Sequence, residues 1–191
     1  MKTFNSSFFI VILVASTKLF TSCTGNASFS SEEMRFAKPF VRADTAIYQS
    51  DSGQTDTIIF QAVRIDTIKY RNFEQGFYNE NMLRVAYELS PKSFHQFTVE
   101  STDGTPTYFI NFIRAKNSHS AKEIYFLGLT FDEEYLDNIA AVKDKSILFS
   151  KEKAKYSGVN INEGIQSFEF SFDKGVIAFV DRQGREWIRV K

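Results

Sequence analysis

The sequence predicts a mainly β protein, a single antiparallel β-sandwich or open barrel-like sheet with at most one or two short helices. Three observations predict it. Apolar residues recur with period two: Leu83, Val85, Tyr87 and Leu89 alternate with Arg84, Ala86 and Glu88, and Phe168, Phe170 and Phe172 alternate with Ser167, Glu169 and Ser171, the signature of strands buried on one face. Gly-containing links of three to five residues join such runs, as at Asp173-Lys174-Gly175 and Asp181 to Arg185, which is hairpin chemistry. Phe is abundant at 21 and Pro scarce at 3, so large rings are available to fill a core and few breakers interrupt the strands.

The chain opens on a processing segment. Lys2 is a small positive flank, Phe8 to Ala15 is an uncharged apolar run, and Thr17 to Ser22 ends in small residues. The run has about half of the ~20 residues that a membrane-crossing helix needs, which suits a signal-peptide apolar region; the bland alternative is a short buried helix. The only cysteine, Cys23, follows at once. An intrachain disulfide needs a second Cys. A metal site needs several convergent ligands, and a nucleophile needs a base and an orienting group.

Leu19-Phe20-Thr21-Ser22-Cys23 resembles the lipobox of bacterial lipoproteins, although Phe20 stands where Leu or Val is commoner. The resemblance implies cleavage before Cys23, thioether lipidation of its sulfur and acylation of the new amine; an ordinary secretory signal is the alternative. Several acyl chains at about 0.8 kcal/mol per buried methylene hold a protein lastingly. Thr24, in place of the Asp that signals inner-membrane retention in the best-known sorting system, points by the same resemblance to the outer membrane and its periplasmic face. The expected organisation is therefore residues 1–22 as signal peptide, 23–37 as lipidated terminus and flexible linker, and 38–191 as one β-rich domain.

Lys+Arg and Asp+Glu both number 23. Lys2 and Lys18 leave with the signal peptide, so the remainder is slightly acidic, and nothing in this balance suits nucleic acid. No cofactor-binding motif of the P-loop or dinucleotide type occurs.

In chain order, Thr57–Phe60, Ala62–Ile65 and Thr67–Tyr70 read as strands, with Asp66 expected at a bulge or turn between two of them. Thr107–Ile113 and Ile124–Phe131 are apolar on both parities and read as strands covered on both faces. Asp132 to Val142 offers an Asp cap, early acids and apolar residues at helical spacing, which fits a short helix or a turn plus strand. Ser150 to Lys155 reads as a solvated loop. The last quarter reads as a three-stranded meander with Val176–Val180 in the middle, Gly175 and Gly184 at positive φ, and Trp187 buried. The stretch Phe170 to Trp187 resembles the ending of small bacterial lipoproteins of the Bacteroidetes type, in which a Lys-Gly turn, an apolar strand and an Asp-x-x-Gly turn lead to a Trp. That resemblance transfers no catalytic residue.

Chemistry is sparse. His95 is expected on the solvent side of a strand and His119 in a polar loop, so no metal site is expected. Asp132, Glu133 and Glu134, and Asp181 with Glu186, could pair for glycoside hydrolysis but read more simply as caps and surface charge. Asp51, Asp56, Asp103 and Asp173 lie at strand ends without calcium-loop spacing. The aromatic set Phe36, Phe40, Phe73, Phe77, Tyr78, Tyr108, Phe109, Phe112, Tyr125, Phe126 and Phe131 reads first as a Phe-rich core and second as the wall of a cavity for a hydrophobic ligand. The expected function is non-catalytic binding or a structural role at the outer membrane, reached through a lipid anchor on Cys23. The rivals are a hydrophobic-ligand carrier, a glycan- or partner-binding module, and a hydrolase.

Overall fold

The computed structural model describes residues 28–72, 76–93, 95, 106–115, 120–140, 145–155 and 164–191. Cys23 and its flanks, His119 and Asp103 lie outside them.

The fold is one antiparallel sheet. Its strands are β1 (Asp44–Ser50), β2 (Thr55–Phe60), β3 (Arg64–Asn72), β4 (Gly76–Leu89), β5 (Thr107–Ala115), β6 (Ala121–Phe126), β7 (Leu129–Phe131), β8 (Ser146–Ser150), β9 (Ser167–Ser171), β10 (Gly175–Val180) and β11 (Glu186–Arg189). Ten of them follow in the order β7-β6-β5-β4-β2-β1-β11-β10-β9-β8, while β3 pairs with β4 off this path. The sheet curls like an open barrel, so the two ends of the path approach each other. Phe131 of β7 and Phe149 of β8 meet with ring centroids 4.9 Å apart, and the Lys155 N–H donates to the Thr130 carbonyl at 2.7 Å.

Two short helices accompany the sheet. In α1 (Ser31–Ala37), the Ser30 hydroxyl accepts from the Glu33 N–H and the Glu33 carboxylate accepts from the Ser30 N–H, a reciprocal cap that starts the helix. Phe36 and Ala37, with Phe40 from the turn that follows, lie in the core. The folded domain therefore begins before residue 31 rather than at 38. The small polar residues that suggested a linker include the cap itself, and the apolar side chains that dock the helix come after them. In α2 (Glu133–Ala140), the Asp132 carboxylate accepts from the Tyr135 N–H at 3.3 Å and Leu136 is buried, so the helical alternative holds over the described part of this segment.

The core is a stack of rings. Phe149 and Phe168 lie parallel at 4.5 Å, Phe126 meets Phe168 edge-on at 5.1 Å, and Phe40 bridges Phe60 and Phe109 at 5.1 and 5.5 Å. Offset and edge-to-face contacts of this kind add about 0.5–1.5 kcal/mol each beyond area burial.

Three local expectations change. Asp66 lies inside β3, opposite Met82, and the irregularity falls at Gln61–Val63 instead. There β2 and β3 run in succession along one edge of β4 with a one-residue register shift between them. Ile124–Phe131 is two strands, broken at Leu127 and Gly128, whose φ values are +45° and +90°. Positive φ at both central residues is the type I′ hairpin requirement, met here by a buried Leu whose N–H donates to the Tyr87 hydroxyl. The meander β9–β10–β11 has the expected order, but Ile177 is an extra residue, since Val176 opposes Phe170 and Ala178 opposes Glu169.

Candidate functional site

Among the described residues, these elements frame a shallow groove of about 780 Å³ on the outer side of β9, β10, β11 and the start of β1. Side-chain alternation creates its floor. Phe168, Phe170, Val176, Phe179 and Trp187 point inward, which leaves Ala178 and Ile188, opposite one another, to point outward. The bulge brings Ile177 beside Ala178, and a bulge commonly re-aims a side chain in this way. Pro39, Ala43 and Val190 extend the apolar floor.

The rim is charged. Arg189 binds both Asp44 carboxylate oxygens through one nitrogen at 2.9 and 2.7 Å and donates another N–H to the Lys174 carbonyl at 2.6 Å. Lys38 donates to Asp173 at 2.6 Å; that hydrogen bond and the lysine charge hold the Asp173 carboxyl below its ordinary range. Ser146 donates to Glu169. The cations Arg42, Lys174 and Lys191, and the anion Glu186, also line the groove and form no ion pair among the described residues. Glu169, bonded to the neutral Ser146 hydroxyl, keeps its charge as Glu186 does, so three unpaired cations stand beside two unpaired anions.

A second cluster surrounds His95. The ring is buried, not on a solvent-facing strand position. Its Nδ1 lies 2.6 Å from Asp56 Oδ2, Ser93 donates to the same oxygen at 2.8 Å, and the Phe179 and Trp187 rings stand nearly perpendicular to the imidazole with centroids 5.1 and 5.2 Å away. Sequence reading placed Asp56 at a strand end and His95 on a strand with no link between them. The contact arises because the turn at 90–95 folds over β2, with the Ser90 N–H donating to the Thr57 carbonyl. Among the described residues the Ser93 hydroxyl bonds the carboxylate and not the imidazole, so Ser93 is not placed as a nucleophile on His95 and pins the turn.

Asp181 and Glu33 hold the fold together. Asp181 accepts from the Gln183 and Arg185 N–H groups, the Arg185 guanidinium and the Trp187 indole. Burial pulls its carboxyl upward, but these donors prevail and hold it below its ordinary range. Glu33 is raised by burial and lowered more by Arg114, the Ser30 N–H and Lys122. Lys122 joins this cluster to Asp137 and Glu133, tying α1, β5, β6 and α2 together. Among the described residues no group of three or more His, Cys, Asp or Glu could hold a metal ion.

The aromatic set divides. Phe36, Phe40, Phe109, Phe112, Phe126 and Phe131 are core, and Tyr108 lies beneath the Arg84 guanidinium at 4.9 Å beside an outer pocket that Gln61, Arg64 and Glu88 also line. Phe73, Phe77 and Tyr78 lie outside the described side chains. The groove residues were missed in sequence because rim cations look like ordinary surface charge. The one available signal was Val176 to Val180, five apolar residues in a row where strict alternation would give three, which is what a bulge produces. Comparison with protein-family models, curated proteins and solved structures returned no match.

Proposed function

We propose that this chain is a lipid-anchored, non-catalytic binding protein of the bacterial cell envelope. Cys23 tethers it to the outer membrane, and the groove over β9–β11 receives a partner segment. The groove carries the binding part of the reading: an apolar floor beside uncommitted cations suits an envelope polymer or protein segment with apolar and anionic groups. Lipidation rests on the apolar run, the small residues and the sole cysteine. A carrier with an internal cavity is the weaker reading, because the described rings pack against one another. A hydrolase is weaker still, because Asp44, Asp173 and Glu169 are each engaged by a neighbouring donor.

Two measurements test this. Clickable fatty acid fed to expressing cells should label the wild type and not Cys23→Ala; equal labelling rejects the anchor. A photoreactive residue at Ile188 should yield a discrete adduct in the envelope, reduced at least tenfold by Arg42→Glu with Lys174→Glu at unchanged melting temperature. No adduct, or one indifferent to charge reversal, rejects the groove.

A further inference from the structure

Strand β3 differs from every other long strand of the fold. It is nine residues long, it pairs with β4, and no other described strand lies along it. β1 would be the natural neighbour, because β2 and β3 share an edge of β4. However, β1 starts at Asp44, opposite Phe60, and the Val63 N–H is taken by the Phe40 carbonyl at 2.7 Å, so the chain turns away where β3 begins. Ile65 is 54% exposed, Ile68 38% and Tyr70 37%, on both faces of the strand. Natural edges are blunted by charged side chains, especially Lys, by Pro, or by bulges; β3 carries Arg64, Asp66, Lys69 and Arg71 but has no Pro, and its nine pairs with β4 run without a register shift.

We infer that two copies of this chain pair through β3, antiparallel, about a two-fold axis at Ile68. A strand edge asks for another strand, because alternate N–H and C=O groups point outward along it. The ends of the free stretch set the register. On one side Gln61 and Val63 already donate to Ala86 and Phe40; on the other the chain turns into β4. Full overlap of Arg64–Asn72 with itself therefore centres on Ile68.

In that register the side chains agree. Ile68 opposes Ile68 of the second copy, Asp66 opposes Tyr70, whose hydroxyl can donate to a carboxylate, and Thr67 opposes Lys69. No two like charges stand directly opposite, an arrangement that would destabilise a ladder. Arg64 is occupied with Asp66 of its own strand at 3.7 Å. The two curled sheets become one continuous sheet through an isologous contact, the commonest symmetry of soluble oligomers. This pairing does not depend on the groove, which lies over β9–β11.

The test is disulfide trapping in the full chain, in cells and in detergent, with Cys23 retained and with Cys23→Ala. Cα atoms of directly opposed antiparallel residues are about 4.5–5.5 Å apart, within disulfide reach. Ile68→Cys should give a covalent dimer under mild oxidation, at least tenfold more than Leu148→Cys, a more exposed control on β8. Ile68→Lys, which sets two ammonium groups on the axis at an exposed site, should convert a sedimenting dimer to monomer with an unchanged melting temperature. Cross-linking of Ile68→Cys no greater than the control, a wild type that sediments as monomer, or a dimer that survives Ile68→Lys would each overturn the inference.

Discussion

The Trp187 indole N–H donates to Asp181 Oδ2 at 3.1 Å, with both side chains buried. One carboxylate thus closes the β10–β11 turn through two backbone N–H groups and anchors the last strand through the indole. Asp181→Ala should leave those donors orphaned and cost about 3 kcal/mol, in the range for breaking a buried charged contact. Trp187→Ala should cost about 3–5 kcal/mol. If their effects couple through the bond, denaturant melts of the double variant will show less than the sum.

Ala178→Pro tests the middle strand. β10 lies between β9 and β11, so proline there should cost about 3 kcal/mol or more. Gln183→Pro removes one turn bond, the Gln183 N–H to Asp181 at 2.9 Å, and disfavours the turn conformation of Arg182 before it, so it should cost about 1–2 kcal/mol, still less than Ala178→Pro. Equal melting temperatures for the two variants would contradict the register.

Gly175 and Gly184 separate strain from contact. Both have positive φ, +76° and +82°, but a Cβ on Gly175 would lie 2.9 Å from the Phe40 ring, whereas at Gly184 the nearest atom is 3.9 Å away. Alanine at Gly184 should therefore cost about 1 kcal/mol for the left-handed backbone. Alanine at Gly175 should cost measurably more, since Phe40 is buried among other rings and cannot move freely. Thermal melts of the pair measure the difference.

Acid should loosen the fold through Glu33 and Asp181. Both carboxyls lie below their ordinary values of 4.5 and 3.8. A depressed folded-state pKa contributes stability that is present above the unfolded value and lost as pH falls through the folded one. Stability should thus be level near neutrality and decline below about pH 4.5. Glu33→Gln should lower the neutral-pH melting temperature and make the acid limb shallower. A limb of unchanged steepness would remove Glu33 from the account.

Much of the fold was legible because period-two alternation and turn chemistry are local. Phe168, Phe170 and Phe172 had to share a face, and Asp-x-x-Gly-type links had to turn, whatever the rest of the chain did. The start of the domain was misread because, Phe29 apart, Thr24 to Glu33 is small or polar as a linker is, and the docking of Phe29 and Phe36 on the core distinguishes a cap from a tether. Asp66 was misread because a lone charge between apolar residues marks a turn only when the strand is covered on both faces, and β3 is not.

The candidate site was less legible still. Alternation assigns Ala178 and Ile188 to one face but cannot say that they oppose each other across β10–β11, since register depends on pairs distant in sequence. Likewise the chain shows Asp56 and His95, or Gln61 and Val63, as isolated polar or apolar residues. Their roles follow from backbone N–H groups that must find acceptors within a curled sheet. Class of fold and strand faces are local chemistry, read along the chain. The order of strands, the groove over β9–β11 and the place of β3 off the main strand path come from long-range pairing, because which strand lies beside which is settled by packing the Phe rings into one closed core.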